Sequence, residues 1–344
     1  MKSYTDVIEY LEKKRRPHHL LMGNGFSMAY DPEIFSYNAL NRFIEDSNDE
    51  LLNKLFSVIN NKNFELVMRQ LDNFCELVDV FGYDQNLKVD VQAAIAKLKT
   101  SLLDAVRSLH PEHVFNVPDE KSEACAKFLS RYLHSGHKIF TTNYDLLMYW
   151  VLMRNKGKLP GHVDGFGREV DNYEEFMKSE DLEYSELRWG INKEDQNVFY
   201  LHGALPLFDT GIDVVKEEYT TSAYLLENIE KRINDGEYPV FVTAGDSTEK
   251  HTHIMHNQYL TDCYENLCTI NGSLITFGFN FGEYDEHIID ALNSAARQDI
   301  NQKLWSVYIG VYSEADEQHI NRIKPKFKKL KINMFDAKTA PVWG

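Results

Sequence analysis

The chain contains few cysteines, and they show no recognisable pairing. The four residues, Cys75, Cys125, Cys263 and Cys268, form no Cys-x-x-Cys pair and no closely spaced framework. A disulfide-stabilised secreted domain and a cysteine-based zinc site are therefore not expected. The expected compartment is a reducing cytoplasm.

Long apolar runs are also absent, and the charge is strongly negative. No run approaches the roughly 18 apolar residues of a membrane-spanning helix. The first six residues lack the apolar stretch of a secretory signal. The formal net charge is −16, whereas nonspecific nucleic-acid binding depends on neutralising phosphates. We therefore expect no membrane partner and no direct nucleic-acid binding.

Two common phosphate-binding motifs are incomplete or missing. The chain has no Gly-x-x-x-x-Gly-Lys, and Met28 occupies the third glycine position of a Gly-x-Gly-x-x-Gly. Gly23-Asn24-Gly25-Phe26-Ser27 does follow an apolar segment, and its glycines would let the backbone approach a pyrophosphate. Gly-x-Gly also serves as a plain tight turn, so both interpretations stand.

The hydrophobic pattern alternates between strand-like and helix-like segments, above all after residue 137. Strands are predicted at 18–23, 138–142, 197–202, 239–243, 273–278, 304–311 and 330–335. Helices are predicted at 4–16, 144–155, 221–235, 256–269, 284–298 and 314–328. This alternation predicts an α/β fold, a Rossmann-like parallel sheet with helices on both faces.

A long helical region interrupts this pattern after the first strand. Val91, Ile95 and Leu98, like Val67 and Leu71, recur at the spacing of one apolar helix face. We therefore predict three parts: 1–37 as the first β-α unit, 38–136 as a helical insertion, and 137–344 as the rest of the Rossmann domain. The polar stretch 156–196 is expected to be a lid or binding loop.

Polar side chains follow two of the predicted strands. Asn143 and Asp145 end one strand, and His202 ends the next. In an open parallel sheet such residues face the ligand crevice. As alternatives, Asn143 or Asp145 would cap the following helix, and His202 would be a core histidine.

Four segments together resemble the sirtuin-like superfamily. They are Gly23–Ser27, Thr141-Thr-Asn-Tyr-Asp145, His202-Gly203 and Phe277-Gly-Phe-Asn-Phe-Gly-Glu-Tyr-Asp285. They correspond to the Gly-Ala-Gly-x-Ser, Thr-Gln-Asn-x-Asp, His-Gly and Gly-Thr/Phe-Ser segments of sirtuins. Their order agrees over most of residues 18–311. The resemblance implies a Rossmann-like domain that binds NAD.

Two departures indicate a branch of that superfamily. Residues 204–262 contain no cysteine, so the zinc module of deacylating sirtuins is missing, and Met28-Ala-Tyr-Asp-Pro32 replaces their Ile-Pro-Asp-Phe-Arg segment. The chain then looks more like bacterial sirtuin-like NAD hydrolases, which are stress or antiphage effectors. This resemblance implies NAD as substrate and no metal. It also implies a homo-oligomer and an activating protein partner.

The resemblance and the chemistry assign expected roles to the site residues. Asn143 would position a water and the ribose hydroxyls, and His202 would accept a proton. Asp145 would contact the nicotinamide carboxamide. The remaining NAD-binding candidates are Gly23, Asn24, Gly25 and Ser27 around the pyrophosphate, Gly278 and Asn280 on the adenosine side, and Phe26 and Thr142 without an assigned part of NAD. Asp285 is a helix-cap alternative.

Other interpretations remain. A catalytically silent NAD or ADP-ribose sensor would share the pocket, and a zinc-free deacylase is disfavoured. His251, His253 and His256 have the number of ligands for a metal but no carboxylate or cysteine at a zinc-motif spacing. They are interpreted as polar loop residues at the crevice rim. The preference between NAD and NADP stays open.

Overall fold

The computed structural model describes most of the chain. The described residues are 1–32, 50, 54, 64–82, 85–109, 111, 113–169, 186–219, 224–242, 246–299 and 303–344. Its strands, numbered in chain order, are β1 Lys2–Ser3, β2 His18–Met22, β3 Ile139–Thr141, β4 Phe166–Gly167, β5 Leu187–Trp189, β6 Val198–Tyr200, β7 Gly203–Asp209, β8 Val214–Lys216, β9 Pro239–Phe241, β10 Gly272–Phe277, β11 Leu304–Val311 and β12 Lys331–Asp336.

Seven of these strands form one parallel sheet in the order β6-β3-β2-β10-β11-β12-β1. If the two-residue edge strand β1 is left out and the other six strands are renumbered from β2 in chain order, the sheet order is 3-2-1-4-5-6. This is the order of doubly wound dinucleotide-binding sheets. The strand order reverses between β2 and β10. The predicted α/β, Rossmann-like fold is confirmed.

The central strands β2 and β10 are buried along their whole length, as expected where helices cover both faces of a parallel sheet. Leu20, Leu21 and Met22 of β2 and Leu274 and Ile275 of β10 are fully buried. The stacked rings of Phe140 and Phe199 join β3 to β6, with centroids 5.0 Å apart.

Most of the helices lie where the apolar spacing predicts them. They are α1 Tyr4–Lys13, α2 Gly25–Tyr30, α3 Phe64–Phe81, α4 Gln85–Leu109, α5 Asp119–Ser130, α6 Leu147–Arg154, α7 Leu225–Asn234, α8 Ser247–His256, α9 Gln258–Cys268, α10 Glu286–Ala295 and α11 Glu314–Ile323. None of these helices is both long and apolar enough to cross a membrane.

A second, antiparallel sheet corrects one of the sequence predictions. Its strand order is β4-β5-β8-β7-β9. The strand predicted at 239–243 is β9 of this sheet and pairs antiparallel with β7; it is not part of the parallel sheet, and residue 243 lies outside the described residues. The stretch predicted as a loop at 156–196 supplies β4 and β5, while 170–185 lie outside the described part.

The helical region after the first strand is described only in part. Val67, Leu71, Ile95 and Leu98 are buried, as their spacing predicts. Helix α5 packs against α1 and β10, because the centroid of the Phe128 ring lies 5.5 Å from that of Tyr4 and 6.1 Å from that of Phe277. Most of residues 33–63 lie outside the described residues, so the boundaries 1–37, 38–136 and 137–344 stay predictions.

Truncating a side chain of the central strand should cost much of the stability. Leu20 is 0% exposed, so Leu20→Ala removes buried methyl groups and leaves a cavity. We expect the free energy of unfolding, measured by urea denaturation, to fall by about 2–5 kcal/mol. Ile212→Ala is the control because Ile212 is 88% exposed, and it should change stability by less than about 0.5 kcal/mol. Equal losses in both variants would contradict the burial of β2.

Candidate functional site

Two glycine backbones meet where the strand order reverses. The amide of Gly25 donates to the carbonyl of Gly278 over 2.9 Å. A Cβ on Gly25 would lie 2.5 Å from the Cα of Gly278, and a Cβ on Gly278 would lie 2.5 Å from the carbonyl carbon of Gly25. Gly278 also has φ +66°, which favours glycine. The turn after β2 and the turn after β10 are therefore in direct contact at the switch point.

A connected polar cluster lies beside this contact. Asn143 follows β3, and its Nδ2 donates to Ser27 Oγ over 2.9 Å. The Ser27 hydroxyl in turn donates to Asp145 Oδ2. Ser27 is 0% exposed and Asn143 is 9% exposed. The structure thus brings together three of the residues predicted from the sequence.

The sequence offered Asn143 and Asp145 as possible caps of the following helix, and the two side chains bind different groups. Asp145 Oδ1 accepts from the amide of Leu147, the first residue of α6, over 2.9 Å, while Oδ2 accepts from the Ser27 hydroxyl; the N-cap residue itself is Leu146. The Asn143 amide group donates to Ser27 instead. Thr142 continues the sheet, because its amide donates to the Met22 carbonyl over 3.0 Å.

His202 lies at the end of the neighbouring strand. Thr141 and Tyr200 are paired across β3 and β6, so Asn143 and His202 each lie two residues beyond paired positions. His202 is 3% exposed. Burial, together with the nearby charge of Lys250, holds the pKa of His202 well below its usual value, so the imidazole is neutral at pH 7.

His202 contacts a second buried histidine that sequence reasoning did not select. Its Nε2 lies 3.0 Å from Nε2 of His287. Asp285, two residues before His287, accepts from Lys250 Nζ over 2.8 Å, and Lys250 is only 2% exposed. Asp285 makes no side-chain hydrogen bond that caps α10. The available signal was the sequence Asp285-Glu-His287, which begins at the last residue of the fourth sirtuin-like segment.

The other candidates differ in their placement. Asn280 is exposed and Asn24 is half-buried. The Phe26 ring is buried in the core 4.9 Å from that of Trp343, whose Nε1 donates to the Phe26 carbonyl over 2.9 Å. This packing gives the Phe26 side chain a structural role at the glycine turn.

One group of side chains in the described part of the chain has donors that suit a metal ion. Ligand atoms of His202, Asp285 and His287 lie within 4.8 Å of one another. Two imidazoles and a carboxylate are a donor set of divalent transition metals. Here the Lys250 ammonium already neutralises the carboxylate, and its charge disfavours a second cation close by.

The three histidines after β9 lie in a helix and not in a loop. His251, His253 and His256 belong to α8, which begins with a capping box between Asp246 and Glu249. The expectation that these histidines lie in a loop is therefore wrong. They are not part of the group of possible metal donors found among the described residues.

The family model described as "Domain of unknown function (DUF4917)" matches residues 20–343, and the chain belongs to this family. No curated protein matches the sequence.

The contact between the two glycines should tolerate no side chain. Gly278→Ala forces φ +66° on alanine and places its Cβ 2.5 Å from the backbone of residue 25, so we expect at least about 1–3 kcal/mol of lost stability in urea denaturation. Gly282→Ala is the matched control, because the nearest atom to its Cβ would be 3.6 Å away. Equal denaturation midpoints for the two variants would argue against the contact.

Proposed function

We propose that this DUF4917 family member hydrolyses NAD at the nicotinamide–ribose bond, giving nicotinamide and ADP-ribose. One observation carries the proposal: the close passage of Gly25 and Gly278 at the switch point, next to an amide and a neutral imidazole at the ends of β3 and β6. Dinucleotides bind in the crevice at such a reversal of strand order. The same four segments carry the sirtuin resemblance.

A pyrophosphate would bind beside the glycine contact, over the turns after β2 and β10. The missing side chains at Gly23, Gly25 and Gly278 let these two backbones meet at the switch point, where dinucleotides bind in doubly wound sheets. In the proposed complex, Ser27 would line the pyrophosphate, and Gly278 and the exposed Asn280 would approach the adenosine side.

Hydrolysis requires a water directed at the ribose and a group that takes its proton. The water oxygen bonds to C1′ while the C1′–N bond breaks, and the bonding electron pair leaves with nicotinamide. Asn143 Nδ2 is held by Ser27, so Oδ1 is the atom that would accept a hydrogen bond from the water. His202 would take the proton, which requires its neutral form.

Deacylation fits these residues less well, because residues 204–262 contain no cysteine for a zinc module. A stress or antiphage role, a homo-oligomer and an activating partner stay predictions from the resemblance. The preference for NAD over NADP is likewise open to measurement.

Removing either of the two proposed groups should abolish most of the activity. We expect the purified protein to release nicotinamide and ADP-ribose from NAD without any acyl peptide, measured by chromatography. Asn143→Ala and His202→Ala should lower kcat/KM by about 10²–10⁴. Asn333→Ala and His256→Ala, at positions outside the site, are the matched controls. Wild-type turnover by both site variants would contradict the assignment, and NAD binding without turnover would favour the sensor.

The pH dependence should reflect the buried state of His202. Its pKa lies well below the ordinary value of 6.5 because burial and the Lys250 charge disfavour the imidazolium. The reactive neutral form therefore persists as the pH falls through 6.5. We expect the acidic limb of kcat/KM for NAD to have its midpoint below pH 6.5. A midpoint at or above that value would contradict the role of a buried His202 as the base.

A further inference from the structure

The contact between His202 and His287 requires a shared hydrogen. Their Nε2 atoms are 3.0 Å apart, and the two residues are 3% and 2% exposed. Two lone pairs facing each other at this distance would repel, and two N–H groups would clash. One nitrogen must therefore donate and the other accept.

Ser247 holds the other side of the His287 ring. The Ser247 hydroxyl lies 3.3 Å from His287 Nδ1 and accepts from the backbone amide of His287 over 2.7 Å. Because a hydroxyl either donates or accepts, Ser247 is compatible with a hydrogen on either nitrogen of His287. Ser247 therefore does not determine whether His202 or His287 donates in the hydrogen bond between their Nε2 atoms.

Only one of the two arrangements leaves His202 able to accept a proton. If His287 Nε2 carries the hydrogen, the Nε2 lone pair of His202 is occupied and its Nδ1 bears the other hydrogen. If His202 Nε2 carries it, the Nδ1 lone pair of His202 is free, and His287 Nδ1–H donates to Ser247. A general base needs the second arrangement.

We propose that His287 is a positioning residue that holds His202 with its hydrogen on Nε2, and that it takes this hydrogen when His202 Nδ1 accepts the proton of the attacking water. This inference rests on the proposed role of His202. The water proton bonds to Nδ1, the Nε2–H bond of His202 breaks, and a new N–H bond forms on His287 Nε2. The positive charge thus moves to His287, and no electrons are gained or lost.

Charged groups lie close to both histidines. Burial and the neighbouring His202, Lys250 and His251 lower the pKa of His287, whereas the Asp285 carboxylate acts in the opposite sense. Burial, Lys250 and His253 lower the pKa of His202. The Asp285 carboxylate, which also pairs with Lys250, thus lies where it would partly stabilise a proton on His287.

NMR of the ligand-free protein tests the hydrogen position without any turnover. In ¹⁵N-histidine-labelled protein, long-range ¹H–¹⁵N correlations distinguish a nitrogen with hydrogen from one with a lone pair. His202→Gln and His287→Gln assign the signals. We expect hydrogen on His202 Nε2, a lone pair on His202 Nδ1, and a scalar coupling between the two Nε2 atoms. Hydrogen on His287 Nε2, or no coupling, would overturn the proposal even if the protein does not consume NAD.

Kinetics of two substitutions test the transfer. His287→Gln keeps an acceptor oxygen for His202 Nε2 but takes up no proton, so kcat for NAD should fall by about 10-fold or more with KM within about twofold. His287→Phe also loses the acceptor and should fall further. His256→Gln, on the exposed end of α8, is the control. Wild-type kcat in His287→Phe, or activity lost to a chelator and restored by Zn²⁺, would overturn the proposal.

Discussion

The backbone contact between Gly25 and Gly278 is the constraint on which the site depends. Each glycine occupies space that a Cβ on the other would need, with 2.5 Å to the nearest backbone atom. The contact ties the turn after β2 to the turn after β10, at the place where the strand order reverses. It thereby positions Ser27 against Asn143 and Asp145, so a single close approach of backbones connects the fold to the proposed chemistry.

Buried polar groups around this contact are arranged in two connected sets. In the first, Asn143 and Asp145 both bind the Ser27 hydroxyl. In the second, His202 contacts His287, and Lys250 neutralises Asp285. Burying a polar group without a hydrogen-bond partner destabilises the folded protein. Removing one member of either set would therefore leave its partner buried and unpaired. The first set would hold the ribose and water, and the second would manage the proton.

The parallel sheet could be predicted from the sequence because its central strands contain short apolar runs followed by a glycine turn, such as Leu20–Met22 in β2, where the observed strand 18–22 agrees with the predicted 18–23. The second sheet was missed because β4, β5 and β8 have only two or three residues each, too few for a periodic pattern, and because the predicted strand 239–243 (β9) was assigned to the parallel sheet. Strand ends identified Asn143, Asp145 and His202. His287 and Lys250 were missed because their partners are 85 and 35 residues away in the chain, a separation that local patterns do not encode.

The most direct test of the central claim is a crystal structure of the Asn143→Ala variant soaked with NAD, since slowed turnover should preserve the dinucleotide. The pyrophosphate is expected against the backbones of Gly25 and Gly278, with the nicotinamide ribose between position 143 and His202. NAD bound elsewhere, or with its nicotinamide ribose away from His202, would contradict the claim that this crevice is an NAD-cleaving site.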